Sequence, residues 1–302
     1  MKNIMNARNL LALCFLIVSF TLVGCGGGGS AGTTTSPGAN GTISGMAVKG
    51  PVAGATVTAF AVGNGTMAGQ IGAGKTDGQG NFSMSIGDYS GAVMLRLTGG
   101  TYTDEATGTT MSMQSADEMT AVIPSVSSGE TLSGIEMTPL TSMAQAMAQA
   151  MAGGMTPSNI TAANMSVGNY YMAGDILRGA PMDPLAAGAA NTADQNARNY
   201  GMTIAAMTQL AKNAGMQFSS GMVTAMSGDA SDGIMNGMAG NSPIQMGGGM
   251  MGGTMMSSNA GTSGLAAAMS QFIQSPMNRS GVTLTDMQSL MNKLSSSNGV
   301  IQ

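Results

Sequence analysis

The chain has 302 residues, a net charge of −4, no histidine and no tryptophan, and only 8% of its residues are charged. This acidic balance, without a basic cluster, excludes nucleic acid and anionic lipid headgroups as binding partners, because both are bound through Lys and Arg. The absence of histidine removes the commonest general base and the commonest transition-metal ligand.

The N-terminal stretch has the parts of a secretory signal peptide. Lys2 and Arg8 precede an apolar run over residues 10–23, which is too short to span a membrane and ends in Leu22-Val23-Gly24-Cys25. This ending resembles the lipobox of bacterial lipoproteins, in which cleavage leaves the cysteine at the N-terminus with acyl chains, such as palmitate, on its sulfur and amine. The resemblance implies a signal peptide over residues 1–24 and lipidation at Cys25.

Removal of the signal peptide changes the chemistry of the chain. The net charge falls from −4 to −6 with the loss of Lys2 and Arg8, and Cys25 becomes the remaining cysteine because Cys14 is removed. Residues 25–40 are rich in Gly, Ser and Thr and predict a flexible tether with a reach of about 20 Å. Gly26 stands where an acidic residue is associated with retention in the inner membrane, so the lipoprotein resemblance implies the outer membrane.

Short β-prone runs separated by Gly, Pro, Asp and Asn predict an all-β sandwich over residues 41–138. Asp77-Gly78-Gln79-Gly80-Asn81 has the composition of a hairpin turn. The predicted strands are 42–48, 55–62, 69–76, 81–86, 92–98, 109–113, 119–123 and 131–138.

Two motifs in this region carry a family resemblance. The segment from Gly45 to Val57 contains Pro51-Val52-Ala53-Gly54-Ala55, and Thr76-Asp77-Gly78-Gln79-Gly80-Asn81-Phe82 follows it. Together they resemble the carboxypeptidase regulatory-like family, whose fold is a transthyretin-type, Ig-like β-sandwich. The resemblance covers residues 41–138 and implies a non-catalytic folding, binding or spacer module.

A loop with adjacent acidic residues leaves two interpretations open. Asp104 and Glu105 lie in a Gly- and Thr-rich stretch and could contribute oxygen ligands to Ca²⁺. The loop lacks the Asp-x-Asp-x-Asp spacing that would complete such a site. A solvated loop tip is therefore the favoured interpretation.

From residue 139 to 302 the pattern predicts a Met-rich α-helical domain, interrupted by a low-complexity loop over residues 228–264. Thr138 and Pro139 predict the start of its first helix, and Thr138-Pro139-Leu140-Thr141 resembles the hinge of bacterial lipoproteins in which such a sandwich leads into helices. The predicted helices are 142–151, 157–165, 169–177, 192–215, 265–273 and 285–294.

The 33 methionines allow three hypotheses. Thioethers favour Cu(I) and Ag(I), which predicts a soft-metal site in the low-complexity loop. Alternatively, methionine replaces Leu, Ile and Val in an adaptable core, or exposed methionines are oxidised sacrificially. The candidate metal ligands are Met246, Met250, Met251, Met255 and Met256.

The sequence predicts no enzyme. It lacks the histidine of a histidine-activated nucleophile, and Gly74-Lys75-Thr76 precedes a turn instead of the helix that a P-loop requires. Asp229 and Asp232 lie in the predicted loop without an identifiable partner. The leading hypothesis is a lipid-anchored module that presents its sandwich and helices to a protein or polymer of the cell envelope, and the alternative is a Cu(I) or Ag(I) buffer.

Overall fold

The structure is a computed structural model that describes residues 40–247 and 253–302. The described residues belong to one compact unit. Antiparallel strands fill its N-terminal part and helices follow them, which confirms the predicted order of β structure and then α structure. The N-terminal strands are β1 (Gly41–Ala47), β2 (Thr56–Gly63), β3 (Thr66–Lys75), β4 (Asn81–Gly87), β5 (Gly91–Thr98), β6 (Thr101–Thr103), β7 (Thr110–Ser112), β8 (Glu118–Val126) and β9 (Thr131–Met137).

These strands form two larger sheets and a separate hairpin. One sheet has the order β4-β1-β9, in which β1 is antiparallel to β4 and parallel to β9. The other is antiparallel throughout and has the order β3-β2-β5-β8. Strands β6 and β7 pair with each other. The short strand β6 was not predicted, since three residues are too few for a detectable alternation.

One hydrophobic cluster contains residues of both larger sheets, among them Ile43, Leu95 and Ile135. Along β4 the burial alternates, as a half-buried strand requires, and Phe82 is buried at its start. The predicted turn before β4 is present, because the Asp77 carboxylate accepts the backbone N–H groups of Gln79 and Asn81 at 2.9 and 2.8 Å.

The helices begin directly after β9. Thr138 caps the first of them, because its hydroxyl accepts the Thr141 N–H and the Thr141 hydroxyl accepts the Thr138 N–H. This confirms the predicted helix start. The helices are α1 (Pro139–Ala150), α2 (Pro157–Tyr170), α3 (Gln195–Asn213), α4 (Ser220–Ala230), α5 (Ser263–Ile273) and α6 (Leu284–Ser296).

One helix prediction was wrong, and one helix was not predicted. The helix predicted over residues 169–177 is absent, because α2 ends at Tyr170 and the left-handed φ angles of Met172 and Gly174, 50° and 71°, reverse the chain. Helix α4 was not predicted, since its glycines and small residues give no apolar stripe.

The segment predicted as a low-complexity loop over residues 228–264 contains more structure than expected. Helix α4 extends through Ala230, and two short hairpins follow it. The Asp229 carboxylate accepts three successive backbone N–H groups, from residues 236, 237 and 238, and Asp232 accepts those of Ile234 and Gly240. The hairpin strands are β10 (Met238–Ala239), β11 (Ser242–Pro243), β12 (Gln245–Met246) and β13 (Thr254–Met255).

Strand β8 is an edge strand of the four-stranded sheet, and side chains of α1 and α2 satisfy three of its outward backbone groups. The Thr120 N–H donates to the Ser142 hydroxyl at 2.9 Å, and the Thr141 hydroxyl donates to the Thr120 carbonyl at 2.8 Å. The Asn164 amide donates to the Val122 carbonyl. Pro124, the next residue in this alternation, has no N–H. The helices therefore close this edge.

The tip of the β2–β3 hairpin packs against the connection between α1 and α2. Asn64 and Gly65 both have positive φ, as a two-residue type I′ turn requires. The Gly65 carbonyl accepts the Met155 N–H at 2.7 Å, and a Cβ on Gly65 would overlap the Gly153 carbonyl. The hairpin and this connection can approach each other so closely only because neither has a side chain at the contact.

A second hydrophobic cluster fills the helical part and includes Ala92, Met94 and Val122 of the four-stranded sheet. Eighteen methionines are buried in the two clusters, as the core-filling hypothesis predicts for most of them. Within residues 40–247 and 253–302, no helix is both long and apolar enough to cross a membrane.

Candidate functional site

A buried polar cluster lies where the β1–β2 connection, the β6–β7 hairpin, α3 and the start of α4 meet. We call it the Lys49 cluster. Each side chain in it is less than a tenth exposed. Its members are Lys49, Tyr102, Asp104, Glu105, Thr208 and Ser219.

The backbone brings Lys49 to this position through a close approach. Gly50 has φ +57°, and a Cβ there would overlap the Thr103 carbonyl, so only glycine allows the chain to pass β6 at this distance. Ala53 pairs with Thr101 on the same side. The connection between β1 and β2 is thereby fixed beside β6, and Lys49 faces Tyr102 and the residues that follow it.

Asp104 and Glu105 lie in the turn between β6 and β7 and are both only 2% exposed. The prediction of a solvated loop tip was therefore wrong. The reason is tertiary, since α3 and α4 cover a turn whose sequence is typical of a surface loop. The Ca²⁺ interpretation gains no support either: among residues 40–247 and 253–302, no group of three His, Cys, Asp or Glu side chains could hold a metal ion.

The Lys49 ammonium has three polar neighbours and one aromatic neighbour. Its Nζ donates to the hydroxyls of Thr208 and Ser219, both at 2.9 Å, and lies 3.4 Å from Oε2 of Glu105. It also lies 4.6 Å from the centroid of the Tyr102 ring. The three ammonium hydrogens thus each have an acceptor, as a buried cation requires.

The hydroxyls of the cluster connect the cation to the two acids. Thr208 donates to Oε2 of Glu105 at 2.7 Å. Ser219 donates to Oδ2 of Asp104 at 2.5 Å, and Tyr102 is 3.2 Å from the Ser219 hydroxyl. The other oxygen of Asp104 accepts the N–H and the hydroxyl of Thr107. Lys49, Ser219 and Asp104 therefore form a continuous chain of hydrogen bonds.

The carboxylates of this region carry more negative charge than the single Lys49 cation can balance. The N-terminus of α4 compensates for part of this excess negative charge. Ser219 is the residue before the first turn of α4, and Ser220 donates to Asp117 at 2.6 Å. Asp104 and Asp117 thus both lie at the positive end of the α4 dipole, where negative charge is stabilised. The Thr224 hydroxyl also donates to Asp117.

Two grooves on the described surface are large enough for a small ligand, and both lie away from the Lys49 cluster. One, of about 820 Å³, is lined by α1, residues 231–240 and the C-terminal residues, and the other, of about 550 Å³, by β8, α2 and residues 174–178. No residue of the cluster lines either groove. The acids of the grooves, Asp232 and Asp175, accept backbone N–H groups of their own loops. Neither groove thus presents a nucleophile with a positioned base.

Two further carboxyl groups are buried with one oxygen unpaired. Oε2 of Glu136 on β9 and Oδ2 of Asp229 have no hydrogen-bond partner among residues 40–247 and 253–302. Burial raises the pKa of Glu136 to about 7. Burial also raises the pKa of Asp229, to about 6, although its three backbone N–H donors oppose the increase. Both groups are therefore held as acids that ionise near neutral pH.

The predicted metal ligands are divided between two faces of the β12–β13 hairpin. Met246 pairs with Thr254, so Met246 and Met256 share a face, and both are buried in the helical cluster. Met255 lies on the opposite face and is 52% exposed. Met250, Met251 and the predicted lipidation site Cys25 lie outside the described residues.

Sequence reasoning did not find the Lys49 cluster. Thr208 and Ser219 carry no motif, and their contacts with Glu105 and Asp104 span more than one hundred residues. One local signal was available. Lys49 follows Met46-Ala47-Val48 and precedes Gly50-Pro51, so it is a lone charge in a stretch that is otherwise apolar or turn-forming.

The comparisons with known proteins give little. No protein-family model and no curated protein matches the chain. A solved 9R-lipoxygenase from Cyanothece PCC8801 is 13% identical over 37% of this chain, with a TM-score of 0.22. The match spans only 18% of that enzyme, and a similarity of this level carries no argument about fold or function.

Proposed function

We propose that this chain is a lipid-anchored protein of the bacterial outer membrane whose folded part is a non-catalytic binding or structural module. Cys25 carries the acyl chains and residues 25–40 form the tether. The two larger sheets form a β-sandwich of the carboxypeptidase regulatory-like type, and the helices pack on its outer face. The partner is a protein or polymer of the cell envelope.

The observation that carries this proposal is the enclosure of the Lys49 cluster. The amine, hydroxyl and carboxylate groups best suited to chemistry are buried between the β6–β7 hairpin, α3 and α4, where they join the strands to the helices. They connect the strands to the helices by hydrogen bonds and line neither of the two grooves described above. This arrangement supports a binding or structural role more than a catalytic one. Two or more acyl chains would make its attachment stable, since each buried CH₂ contributes about 0.8 kcal/mol.

Replacement of the lipidation site tests the anchor. We expect Cys25→Ser to move the protein from the membrane fraction to the soluble fraction of the cell envelope, because the serine hydroxyl does not replace the thiol in lipoprotein processing. Cys14→Ser is the matched control, since it changes the other cysteine inside the signal peptide and should leave the protein membrane-bound. Fractionation followed by mass spectrometry of the N-terminal peptide measures both.

The anchor would be disproved by an unmodified N-terminal peptide that still contains Val23-Gly24-Cys25. Equal membrane association of Cys25→Ser and the unaltered protein would disprove it as well.

A second candidate function, binding of Cu(I) or Ag(I), is favoured by one observation. Met246 and Met256 lie on the same face of the β12–β13 hairpin, and the segment that joins its strands contains Met250 and Met251. Thioether sulfurs from both sources would suit a soft monovalent ion.

This candidate requires that Met250→Leu combined with Met251→Leu weaken Cu(I) binding at least about tenfold, or ~1.4 kcal/mol. The measurement is a titration of the purified chain against a competing chelator. Met165→Leu, at an exposed methionine on α2, is the control and should leave the affinity unchanged. Absence of binding, or equal affinities in all three proteins, would eliminate the candidate.

A further inference from the structure

We propose that Lys49 and Glu105 become joined by an amide bond between Nζ of the lysine and Cδ of the glutamate. The bond would tie the β1–β2 connection to the turn between β6 and β7 inside the folded protein. It would be an intramolecular modification that the protein carries out on itself, and it requires no ligand.

The closure of the site restricts what the amine can react with. Lys49 is 1% exposed, and the polar atoms that contact its Nζ belong to Glu105, Thr208 and Ser219. Of these three side chains, only Glu105 has a carboxyl carbon that an amine can attack. The Nζ–Oε2 distance of 3.4 Å places the amine directly beside the carboxyl group that it would attack, and the fold holds both groups in one position.

The cluster also supplies the groups that such a reaction needs. The ammonium must lose a proton before it can attack, and Ser219 connects it to the Asp104 carboxylate through hydrogen bonds of 2.9 and 2.5 Å. The Thr208 hydroxyl donates to Oε2 of Glu105 at 2.7 Å, where negative charge develops as the carbonyl carbon becomes tetrahedral. Asp104 is thus the proton acceptor and Thr208 the oxyanion donor.

The reaction balances without an oxidant or a second reactant. The Nζ–Cδ bond forms and one Cδ–O bond of Glu105 breaks. Two of the three ammonium protons pass, by way of Ser219 and Asp104, to the departing oxygen, which leaves as water. The third proton stays on the amide nitrogen, and Asp104 returns to its carboxylate form.

Burial provides the physical reason for the reaction to proceed. A buried ion pair has lost the hydration of both its charges, and the attraction between them recovers this only in part. Conversion of the pair to a neutral amide removes both charges from the interior. Once the product water has left the closed site, it is no longer there to hydrolyse the amide.

Peptide mapping of the purified full chain tests the proposal. The protein is unfolded in denaturant, digested with trypsin and a second protease, and analysed by mass spectrometry. We expect a branched peptide that contains both Lys49 and Glu105 and whose mass is lower than that of its two parts by one water molecule. Trypsin should cleave after the exposed Lys75 but not after Lys49, because an amidated lysine is not a tryptic site.

Variants separate the roles within the cluster. Lys49→Arg keeps a cation but should give no branched peptide. Glu105→Gln should give a branched peptide of unchanged mass, since loss of ammonia leads to the same amide. Asp104→Asn should lower the linked fraction at least tenfold because it removes the proton acceptor. Recovery of Lys49 and Glu105 from the unaltered protein on separate peptides of unmodified mass would overturn the proposal, whether or not the variants fold.

Discussion

Lys49→Met is expected to lower the free energy of unfolding by about 3–5 kcal/mol, because it leaves the Glu105 carboxylate buried with neither an ion pair nor an amide bond to Lys49. Asp104 would keep its hydrogen bond from the Ser219 hydroxyl, but Ser219 would lose its own hydrogen bond from Nζ of residue 49. Methionine fills a similar volume, so the loss comes from electrostatics and hydrogen bonding more than from a cavity. Urea unfolding followed by circular dichroism measures the change.

The control for this substitution is Lys75→Met. Lys75 is exposed at the end of β3, and its replacement should change the free energy of unfolding by less than about 0.5 kcal/mol. Combining Lys49→Met with Glu105→Met removes both charges, and we expect the double variant to be less destabilised than Lys49→Met alone. Similar effects of Lys49→Met and Lys75→Met would show that the cluster contributes little to stability.

The protein is expected to lose about 4 kcal/mol of stability between about pH 5 and about pH 8. The cause is that Glu136 and Asp229 have a higher pKa in the folded protein, about 7 and about 6, than their ordinary values of 4.5 and 3.8. Over the pH range between these values the unfolded chain has already released protons that the folded protein still holds. Ionisation therefore favours the unfolded chain as the pH rises.

Urea unfolding at a series of pH values measures this slope. Glu136→Gln should remove most of it, because Glu136 has the higher folded pKa and contributes over the wider part of the range. Glu118→Gln is the matched control, since Glu118 is 47% exposed in its ion pair with Arg96 and should leave the slope unchanged. A stability that increases with pH over this range would contradict the assignment of buried, protonated acids.

The sequence predicted those parts of the fold that depend on neighbouring residues. The turn at Asp77 and the start of α1 at Thr138 were predicted because each is formed by hydrogen bonds among residues no more than four positions apart. The change from strands to helices was predicted for the same reason, since the alternating pattern stops where the capping residues begin.

The parts that the sequence did not predict depend on distant contacts. The turn with Asp104 and Glu105 has a surface composition, and only its packing against α3 and α4 makes it interior. Asp229 likewise has no local partner, because the N–H groups that it accepts lie seven to nine residues further along the chain. Neither composition nor periodicity contains this information.

The methionines show how composition can indicate packing without defining a site. Met143 and Met147, four residues apart on α1, are both buried, as a helical stripe predicts. The same composition favoured the hypothesis of a soft-metal site, but Met255 faces away from Met246 and Met256. Side chains alternate between the two faces of the β12–β13 hairpin, and this alternation decides which sulfur atoms can lie close together. Composition does not show it.

The closed edge of β8 has a consequence for chains that are held close together. An open strand edge acts as a template on which a neighbouring molecule can add its own strand and begin an aggregate. At β8 the side chains of Thr141, Ser142 and Asn164 already form hydrogen bonds with outward backbone groups of the strand. Pro124 has no backbone N–H to donate. Growth of a shared sheet from this edge would first require α1 and α2 to separate from the strand. The chain's own helices thereby act as internal competitors of intermolecular β-pairing, even when many copies of the chain lie close together.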